Sequence, residues 1–337
     1  MTEHAEPLRV GVLGAARISD AAIVLPARAT GARLVCVAAR DPQRAQEFAA
    51  ASGVERVLAT YQDVIDDPEV EVVYNPLPNG LHGPWNLRAV EAGKHVLTEK
   101  PYASNADEAR RVRDAAAASG VLVIEAFHYR YHPVMNRLLE IAASGEIGEV
   151  SYLEARMLMP PPGEDDPRWV GALAGGSLMD VGCYAVHGIR DFAGLLGGEP
   201  DVVRARGGHL AQHPGADAWL SGDLEFPSGV PAHLETSMTH GCWDFSFRVV
   251  GAAGEAYAPA FVLPQNDDRV VVTVGTQQRE EHLGTRSTYT YQLEAMAALV
   301  RDGVPMITDS DDAVQNMATI DALYAAAGMA VHPASVI

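Results

Sequence analysis

The first 125 residues alternate short apolar runs with helical patterns, and few folds accept that alternation. Residues 8–13 form a β-rich run that stops at Gly14, and a helical pattern follows from about Arg17 to Ala29. A second run, 33–39, leads through Arg40-Asp41-Pro42 into a helix ending near Ala51. Further strands are predicted at 70–74, 95–98 and 121–125, separated by helices at 81–92 and 104–118. Strand, crossover helix and strand in repetition build a parallel sheet with helices on both faces. Ser104, with Asp107 three residues later, reads as the capping box of the helix at 104.

Residues 131–144 then read as a connecting helix ended near Gly145. Beyond it, strand-like runs group together at 149–157, 201–209, 218–226, 231–239, 244–251 and 269–275. Helical patterns there are few, at 177–196, 290–302 and 311–328. Grouped strands imply an antiparallel sheet. The predicted fold class is therefore α/β: an N-terminal doubly wound parallel sheet of Rossmann type over 1–130, then an α+β domain with an open, mostly antiparallel sheet over 131–337. A length of 337 residues suits two such domains.

A strand–glycine–helix entrance is where dinucleotide-binding units place the pyrophosphate. The turn here reads Gly14-Ala15-Ala16-Arg17-Ile18-Ser19 against the pattern G-x-G-x-x-G/A. Gly14 supplies the tight turn, while Ala16 occupies the place of the glycine that lets backbone approach the pyrophosphate. Alone this is equally ordinary packing. The second strand adds weight: an NAD site carries Asp or Glu at its end, and here Ala39 stands there with Arg40 next. Arginine pairs with a 2′-phosphate and stacks on adenine, and Arg44 lies one helical turn on. NADP is thus read over NAD, with NAD still possible and a solvated turn the competing account of Arg40. In the loop 75–82, Pro78 and Asn79 are placed to meet the nicotinamide ribose. His82, at a helix start, has the smaller claim on cofactor.

Residues 95–98 end in Glu99-Lys100-Pro101. In a parallel sheet the C-terminal strand edge faces the ligand crevice, so Lys100 becomes a cation aimed into it. In the second half, Asp180, Tyr184, His187 and Asp191 recur at i, i+4, i+7 and i+11, one face of a helix. Ser177 with Asp180 is also a capping-box pattern, and Tyr184 is also explicable as a half-buried aromatic. The loop 157–171 offers an apolar lining with Arg168 and Trp169, which suit sugars or cyclic diols. Tyr129, Arg130 and His132 either reach the same cleft or form a hydrogen-bonded cluster at the domain junction.

A net charge of −19, from 25 basic and 44 acidic side chains, argues against nucleic acid or an anionic membrane as partner. Cys36, Cys183 and Cys242 are far apart with no C-x-x-C, so neither a disulfide framework nor a cysteine zinc site is implied. No His/Cys cluster has metal-ligand spacing, and no metal is expected. The polar N-terminus (Met1 to Pro7) and the lack of a spanning apolar run lead to the expectation of a cytoplasmic protein.

The ordered set Gly14-Ala15-Ala16-Arg17-Ile18, Pro78-Asn79-Gly80-Leu81-His82, Glu99-Lys100-Pro101, 125–133 (EAFHYRYHP), 175–184 (GGSLMDVGCY) and 289–294 (YTYQLE) resembles the glucose–fructose oxidoreductase / inositol dehydrogenase (Gfo/Idh/MocA) family of NAD(P)-dependent oxidoreductases. Within it the chain looks most like the dimeric dihydrodiol dehydrogenase and NADP-linked aldose dehydrogenase branch. The likeness covers nearly the whole chain. It implies a lysine beside nicotinamide and substrate, here Lys100 next to Glu99, and an open sheet that pairs as a homodimer. Tyr184 stands where the inositol dehydrogenases have histidine, and His187 where many relatives have aspartate, which leaves the substrate open.

The expected activity is NADP-dependent interconversion of a secondary alcohol or lactol with a carbonyl, on a sugar or cyclic diol. Tyr184 would pass the proton, Lys100 would lower the tyrosine pKa and meet charge on oxygen, and Asp180 would orient Lys100 or a substrate hydroxyl. Tyr129, Arg130, Arg168, Trp169, Asp180 and His187 are the expected substrate contacts. A keto-sugar or anhydrosugar reductase, or an inositol-type dehydrogenase, would use the same parts. A non-catalytic NADP-binding regulator would need neither Lys100 nor Tyr184.

Overall fold

A computed structural model describes residues 6–335 and 337; the polar N-terminus noted above lies mostly outside the described residues. The chain forms two compact units. One comprises the chain to Phe127 with Tyr289–Val314 and Ala334–Ile337, the other His128–Thr288 and Gln315–Pro333. Both are discontinuous, where the sequence suggested a single boundary at 130.

The first unit begins with β1 (Arg9–Leu13), then α1 (Leu25–Thr30), entered through a π-helical turn at Asp20–Val24, and β2 (Arg33–Ala38). It continues with α2 (Pro42–Ser52), β3 (Arg56–Val57), α3 (Tyr61–Asp66), β4 (Val72–Asn75) and α4 (His82–Glu91). β5 (His95–Thr98), α5 (Ala106–Ser119) and β6 (Val123–Glu125) complete this stretch. Six strands lie parallel in the order β3-β2-β1-β4-β5-β6, so the strand order reverses between β1 and β4. Such a switch point opens a crevice at the carboxyl ends of the strands. β4 and β5 are buried almost throughout, which is why they read as unbroken apolar runs.

Two predicted caps are replaced. The N-cap of α5 is Asn105, whose side chain accepts from the Glu108 amide at 2.8 Å. Ser104 instead donates its backbone N–H to Glu108 Oε2 at 2.7 Å, so Glu108 rather than Asp107 reaches back to the residue before the cap. The short β3 and α3 were not foreseen, although α3 carries a complete capping box of Thr60 and Asp63.

The second unit holds α6 (Pro133–Ser144), β7 (Val150–Leu158), α7 (Cys183–Arg190), β8 (Asp201–His209) and β9 (Asp217–Glu225). β10 (Pro231–Ser237), β11 (Asp244–Gly251), β12 (Gly254–Ala258), β13 (Arg269–Val274) and β14 (Gln277–His282) follow. Eight strands run in the order β14-β13-β12-β11-β7-β10-β9-β8, and only β7 with β10 is parallel. α7 packs on β7 and β10, and α6 on β11, β12 and β13. The face they cover carries Leu153, Ala155, Leu234, Phe247 and Val249, all fully buried. The alternate residues Glu154, Arg156, Asp223, His233, Glu235 and Arg248 point to the other face. β14 escaped sequence reading because Gln277–His282 is a polar edge strand without alternation.

The chain then returns to the first unit. α8 (Thr288–Asp302) buries Leu293 and Met296, and its Arg301 pairs with Glu71 at 2.6 Å. Thr308 O accepts from the Glu125 amide at 2.9 Å, extending the edge beyond β6, and Ser310 Oγ lies 2.8 Å from Tyr102 Oη. α9 (Ser310–Ala326) carries the chain back into the second unit.

Candidate active site

The turn after β1 is held from two sides. Gly14 has φ of 90° and donates its N–H to Ala38 O of β2 at 2.7 Å. A side chain there would adopt left-handed backbone and place Cβ 3.1 Å from Leu77 Cδ2, so glycine keeps the turn tight and close to the β4 loop. Ala15 O accepts from Arg44 Nη2 at 2.9 Å, so Arg44 braces the turn from α2. Asp41 caps α2 through the amides of Gln43 and Arg44, which fixes the start of that helix. Arg17, Ile18 and Arg40 are exposed, and Arg40 has no hydrogen-bond or ion-pair partner among the described residues. A tight glycine turn at the switch point, no acid at the end of β2 and an uncommitted arginine beside it fit a dinucleotide bearing a 2′-phosphate.

The loops after β4 and β5 are tied to each other by buried polar groups. Asn75 Nδ2 donates to Asn86 Oδ1 at 2.9 Å, and Asn86 Nδ2 to Tyr102 O at 3.3 Å. Tyr102 N donates to Glu125 Oε1 at 2.8 Å. His82 is fully buried, its ring nitrogens 2.7 Å from Pro101 O and 2.6 Å from Leu77 O. Burial pushes its pKa down to about 4, so the ring is neutral and has one proton to share between two carbonyls. The two nitrogens of His82, a residue expected to touch cofactor, face the backbone of the two crevice loops. Pro78 and Asn79 line the loop it secures, with Asn79 opening a short 3₁₀ turn.

Glu99 is buried and accepts from Tyr74 Oη at 2.8 Å, while its amide bonds Asn75 O at 2.9 Å. Burial first, then the Glu99 charge, raises the pKa of both Tyr74 and Tyr289. Glu99 is thus built into the strand edge, and the half-buried Lys100 follows it, joined to Pro101 by a cis peptide.

In the second unit the helix bearing Asp180 starts differently from the expected box. Ser177 Oγ and Leu178 N both donate to Asp217 Oδ2, at 2.6 and 2.8 Å, and Tyr324 Oη donates to Asp217 Oδ1 at 2.7 Å. Asp217 therefore caps the helix, and Asp180 is released from that duty. Gly176, at φ 131°, passes so close to Asp217 that a Cβ would fall 2.0 Å from its carboxylate oxygen. The first turn, Leu178–Gly182, is π-helical and only Cys183–Arg190 is α-helical. A π turn is wider than the α-helical spacing assumed for the four polar residues.

Asp180 accepts from Arg168 Nε at 2.6 Å, and Arg168 also meets Asp166 at 3.3 Å. Arg168 is consequently a neutralised cation, its pKa raised chiefly by Asp180. Trp169 is buried, with one face stacked on His213 at 4.9 Å. The cation and open flat face expected of this loop are therefore already partly engaged.

Tyr184, His187 and Asp191 converge on the turn 128–131. His128 Nε2 lies 3.1 Å from Tyr184 Oη, and His128 Nδ1 lies 2.8 Å from Thr288 Oγ1. Tyr129 Oη lies 2.5 Å from His187 Nδ1 and donates to Asp191 Oδ2 at 3.1 Å, while Arg130 Nε donates to Asp191 Oδ1 at 2.6 Å. Tyr129 Oη is thus shared between His187 and Asp191. Burial pulls the Arg130 pKa down, but Asp191 outweighs it and holds the guanidinium above its ordinary value and charged. His132, by contrast, accepts from Val134 N as the cap of α6 and bonds Gly284 O at 2.9 Å, a structural duty. Sequence reasoning missed His128, Thr288 and Asp217. A lone histidine, a threonine at a helix start and a strand aspartate carry no spacing that marks them.

Known proteins resemble the chain in sequence and in fold. Residues 8–127 match the oxidoreductase family with NAD-binding Rossmann fold, GFO_IDH_MocA, and residues 135–257 the GFO/IDH/MocA C-terminal domain. A D-xylose 1-dehydrogenase (NADP(+)) of Haloferax volcanii is 36% identical over 94% of this chain and 96% of its own. A dTDP-3,4-didehydro-2,6-dideoxy-alpha-D-glucose 3-reductase of Saccharopolyspora spinosa is 34% identical, over 80% of each chain. The crystal structure of a 3-ketoreductase from Actinomadura kijaniata in complex with NADP and TDP-benzene superposes with a TM-score of 0.87, at 28% identity, over 95% of this chain and 98% of that one. Two family models in tandem and a superposition over nearly the full length agree: the chain belongs to the GFO/IDH/MocA family of NAD(P)-dependent oxidoreductases, whose matched members act on sugar hydroxyl and keto groups.

Proposed function

We propose that the chain is an NADP-dependent oxidoreductase that interconverts a secondary alcohol or lactol of a sugar or cyclic diol with its carbonyl. The observation that carries this reading is the Tyr184 hydroxyl, nearly buried and held by His128 at 3.1 Å on the helix that also bears Asp180 and His187. A non-catalytic binder has no use for a hydroxyl so held, or for a lysine at the strand edge. The bound dinucleotide supplies or accepts hydride at nicotinamide. Tyr184 hands its proton to the carbonyl oxygen in reduction and takes it from the alcohol in oxidation. Lys100 acts in the same step, stabilising negative charge on the tyrosine and substrate oxygens.

For the cofactor, Gly14, Ala15, Ala16, Arg17 and Ile18 accept the pyrophosphate, Arg40 takes the 2′-phosphate, and Arg44 keeps the turn in place. Pro78, Asn79 and Glu99 border the nicotinamide end. Substrate hydroxyls are met by Asp180, His187, Tyr129 and Arg130, with Arg168 and Trp169 shaping the wall; the Arg168 pairing makes Asp180 an oriented acceptor. A keto-sugar reductase is the second reading, favoured by the likeness to the 3-reductases. The face of the eight-stranded sheet bearing Glu154, Arg156 and Arg248 is proposed to pair with a second copy as a two-fold dimer.

NADPH consumption against a panel of keto-sugars, and NADP reduction against aldoses and cyclic diols, decides the direction and class. Lys100→Met should lower kcat about a hundredfold or more on whichever substrate turns over. If no panel member is turned over while NADPH binds, the catalytic reading fails. Light scattering at micromolar concentration that returned the mass of one 35.9 kDa chain would rule out the dimer.

A further inference from the structure

We propose that His332, in the segment after α9, is a positioning residue for substrate: it clamps the loop carrying Arg168 and Trp169 against the start of the Asp180 helix. The inference rests on the reading of that loop as the wall of the substrate site. His332 is buried, and its ring hydrogen-bonds the backbone carbonyls of Gly171 and Gly175. Those carbonyls lie on either side of Ala174, which is buried and has φ of 52°. Among the described residues, Ala174 alone takes left-handed backbone without being glycine. A side-chain-bearing residue keeps that conformation where its surroundings impose it.

α9 supplies the next link. The Tyr324 ring meets the His332 ring edge-on, with centroids 5.4 Å apart, and its hydroxyl donates to Asp217 Oδ1 at 2.7 Å. Burial first, then Asp217, raises the Tyr324 pKa well above its ordinary value, so the phenol keeps its proton for that bond. Asp217 Oδ2 receives Ser177 Oγ and Leu178 N, which fixes where the helix bearing Asp180 and Tyr184 begins. Gly176, between loop and helix, donates its N–H to Arg168 O at 2.9 Å. His332 and Tyr324 thus hold the two sides of one joint, the wall loop on one and the helix start on the other.

The joint decides where the wall stands. Arg168 reaches across it to Asp180 at 2.6 Å, and Trp169 stacks on His213. Inside the loop, Val170 O accepts from Leu173 N and Gly175 N, and Gly171 O accepts from Ala174 N. These bonds shape the loop from within, whereas His332 joins it to α9 and the Asp217 cap. Without the imidazole, Gly171 O and Gly175 O lose this donor, and the left-handed turn at Ala174 loses a restraint. Substrate recognition then suffers while rate survives. The clamp acts on Arg168 and Trp169 and leaves proton and hydride transfer to other groups.

Amide hydrogen exchange of the full-length NADPH complex reads the clamp without reference to turnover. In His332→Leu, the amides of residues 169–176 should exchange about tenfold faster, while α9 keeps its protection and NADPH its affinity. On a substrate found in the panel, KM should rise about tenfold and kcat stay within about twofold. His332→Gln keeps an N–H donor and should bring exchange and KM back to within about threefold of wild type. Tyr324→Phe keeps the ring packing but loses the bond to Asp217, so exchange at 169–178 and KM should rise by less, about threefold. The proposal is overturned by a His332→Leu loop that exchanges at the wild-type rate, by an unchanged KM over a loosened loop, or by a His332→Gln enzyme no better than leucine. Should His332→Leu not fold, wild-type exchange at 169–178 in Tyr324→Phe overturns it instead. Trp169→Ala separates the two failures: if it too leaves KM unchanged, it is the reading of the loop as the substrate wall that is wrong.

Discussion

The cluster around Tyr184 and the turn around Arg40 treat polar groups in opposite ways. Around Tyr184, hydroxyls, imidazoles and a carboxylate are buried and bonded to one another, so their geometry exists before anything binds. At the end of β2, Arg40 is exposed and uncommitted, and only the backbone turn beside it is braced, by Arg44. Chemistry needs groups held within tenths of an ångström, whereas recognition of a phosphate tolerates a long side chain that settles on its ligand. The contrast predicts that damage to the first region appears in rate and damage to the second in affinity.

The largest effect should come from Tyr184→Phe. It keeps the ring but removes the transferable proton, and kcat should fall by about a hundredfold to ten-thousandfold with NADPH affinity nearly unchanged. Steady-state kinetics beside a fluorescence titration of NADPH checks it; a matching loss of affinity would erase the distinction between the regions. Next comes Arg40→Ala. Loss of a charge-assisted contact of roughly 1.5–3 kcal/mol should weaken NADPH about ten- to a hundredfold, leaving NADH affinity and kcat near wild type. Equal affinity for the two cofactors in the unaltered protein would take the 2′-phosphate away from Arg40.

The smallest effect sharpens the contrast from within the first unit, at His82. Its folded pKa lies near 4 against an ordinary 6.5, so between those values the unfolded chain binds a proton that the folded chain refuses. Stability should therefore decline as pH falls from about 6.5 towards 4, and His82→Asn should flatten that part of the curve. Thermal melts across this range measure it; an unchanged slope would show that the ring charges readily in place.

Much of this was legible in the sequence, and what was missed has a common cause. β1, β2, β4 and β5 declare themselves because strands buried on both faces must be apolar. Lys100, Tyr184 and Asp180 stand out through motif order. What failed was local hydrogen-bond competition. Ser177 has Asp180 three residues on, yet its hydroxyl goes to Asp217, 40 residues away. Ser104 loses the cap to Asn105. In each case several residues suit the same duty, and tertiary contact selects one. The π-helical turn at Leu178–Gly182 likewise has no periodic signature.

The return of the chain to its first unit has a consequence for biosynthesis. The sheet that starts at Arg9 is finished only by residues from beyond Thr288: Arg301 on Glu71, Thr308 on Glu125 and Ser310 on Tyr102. Emerging from a ribosome, the N-terminal six strands must wait through the synthesis of the whole second sheet before their last edge is met and Glu71, already beside Arg9, gains its second arginine. The unit translated first thus stays unfinished until the second sheet has been made, and a chain halted before α8 would leave the Glu125 amide without Thr308 O and Glu71 without the guanidinium of Arg301.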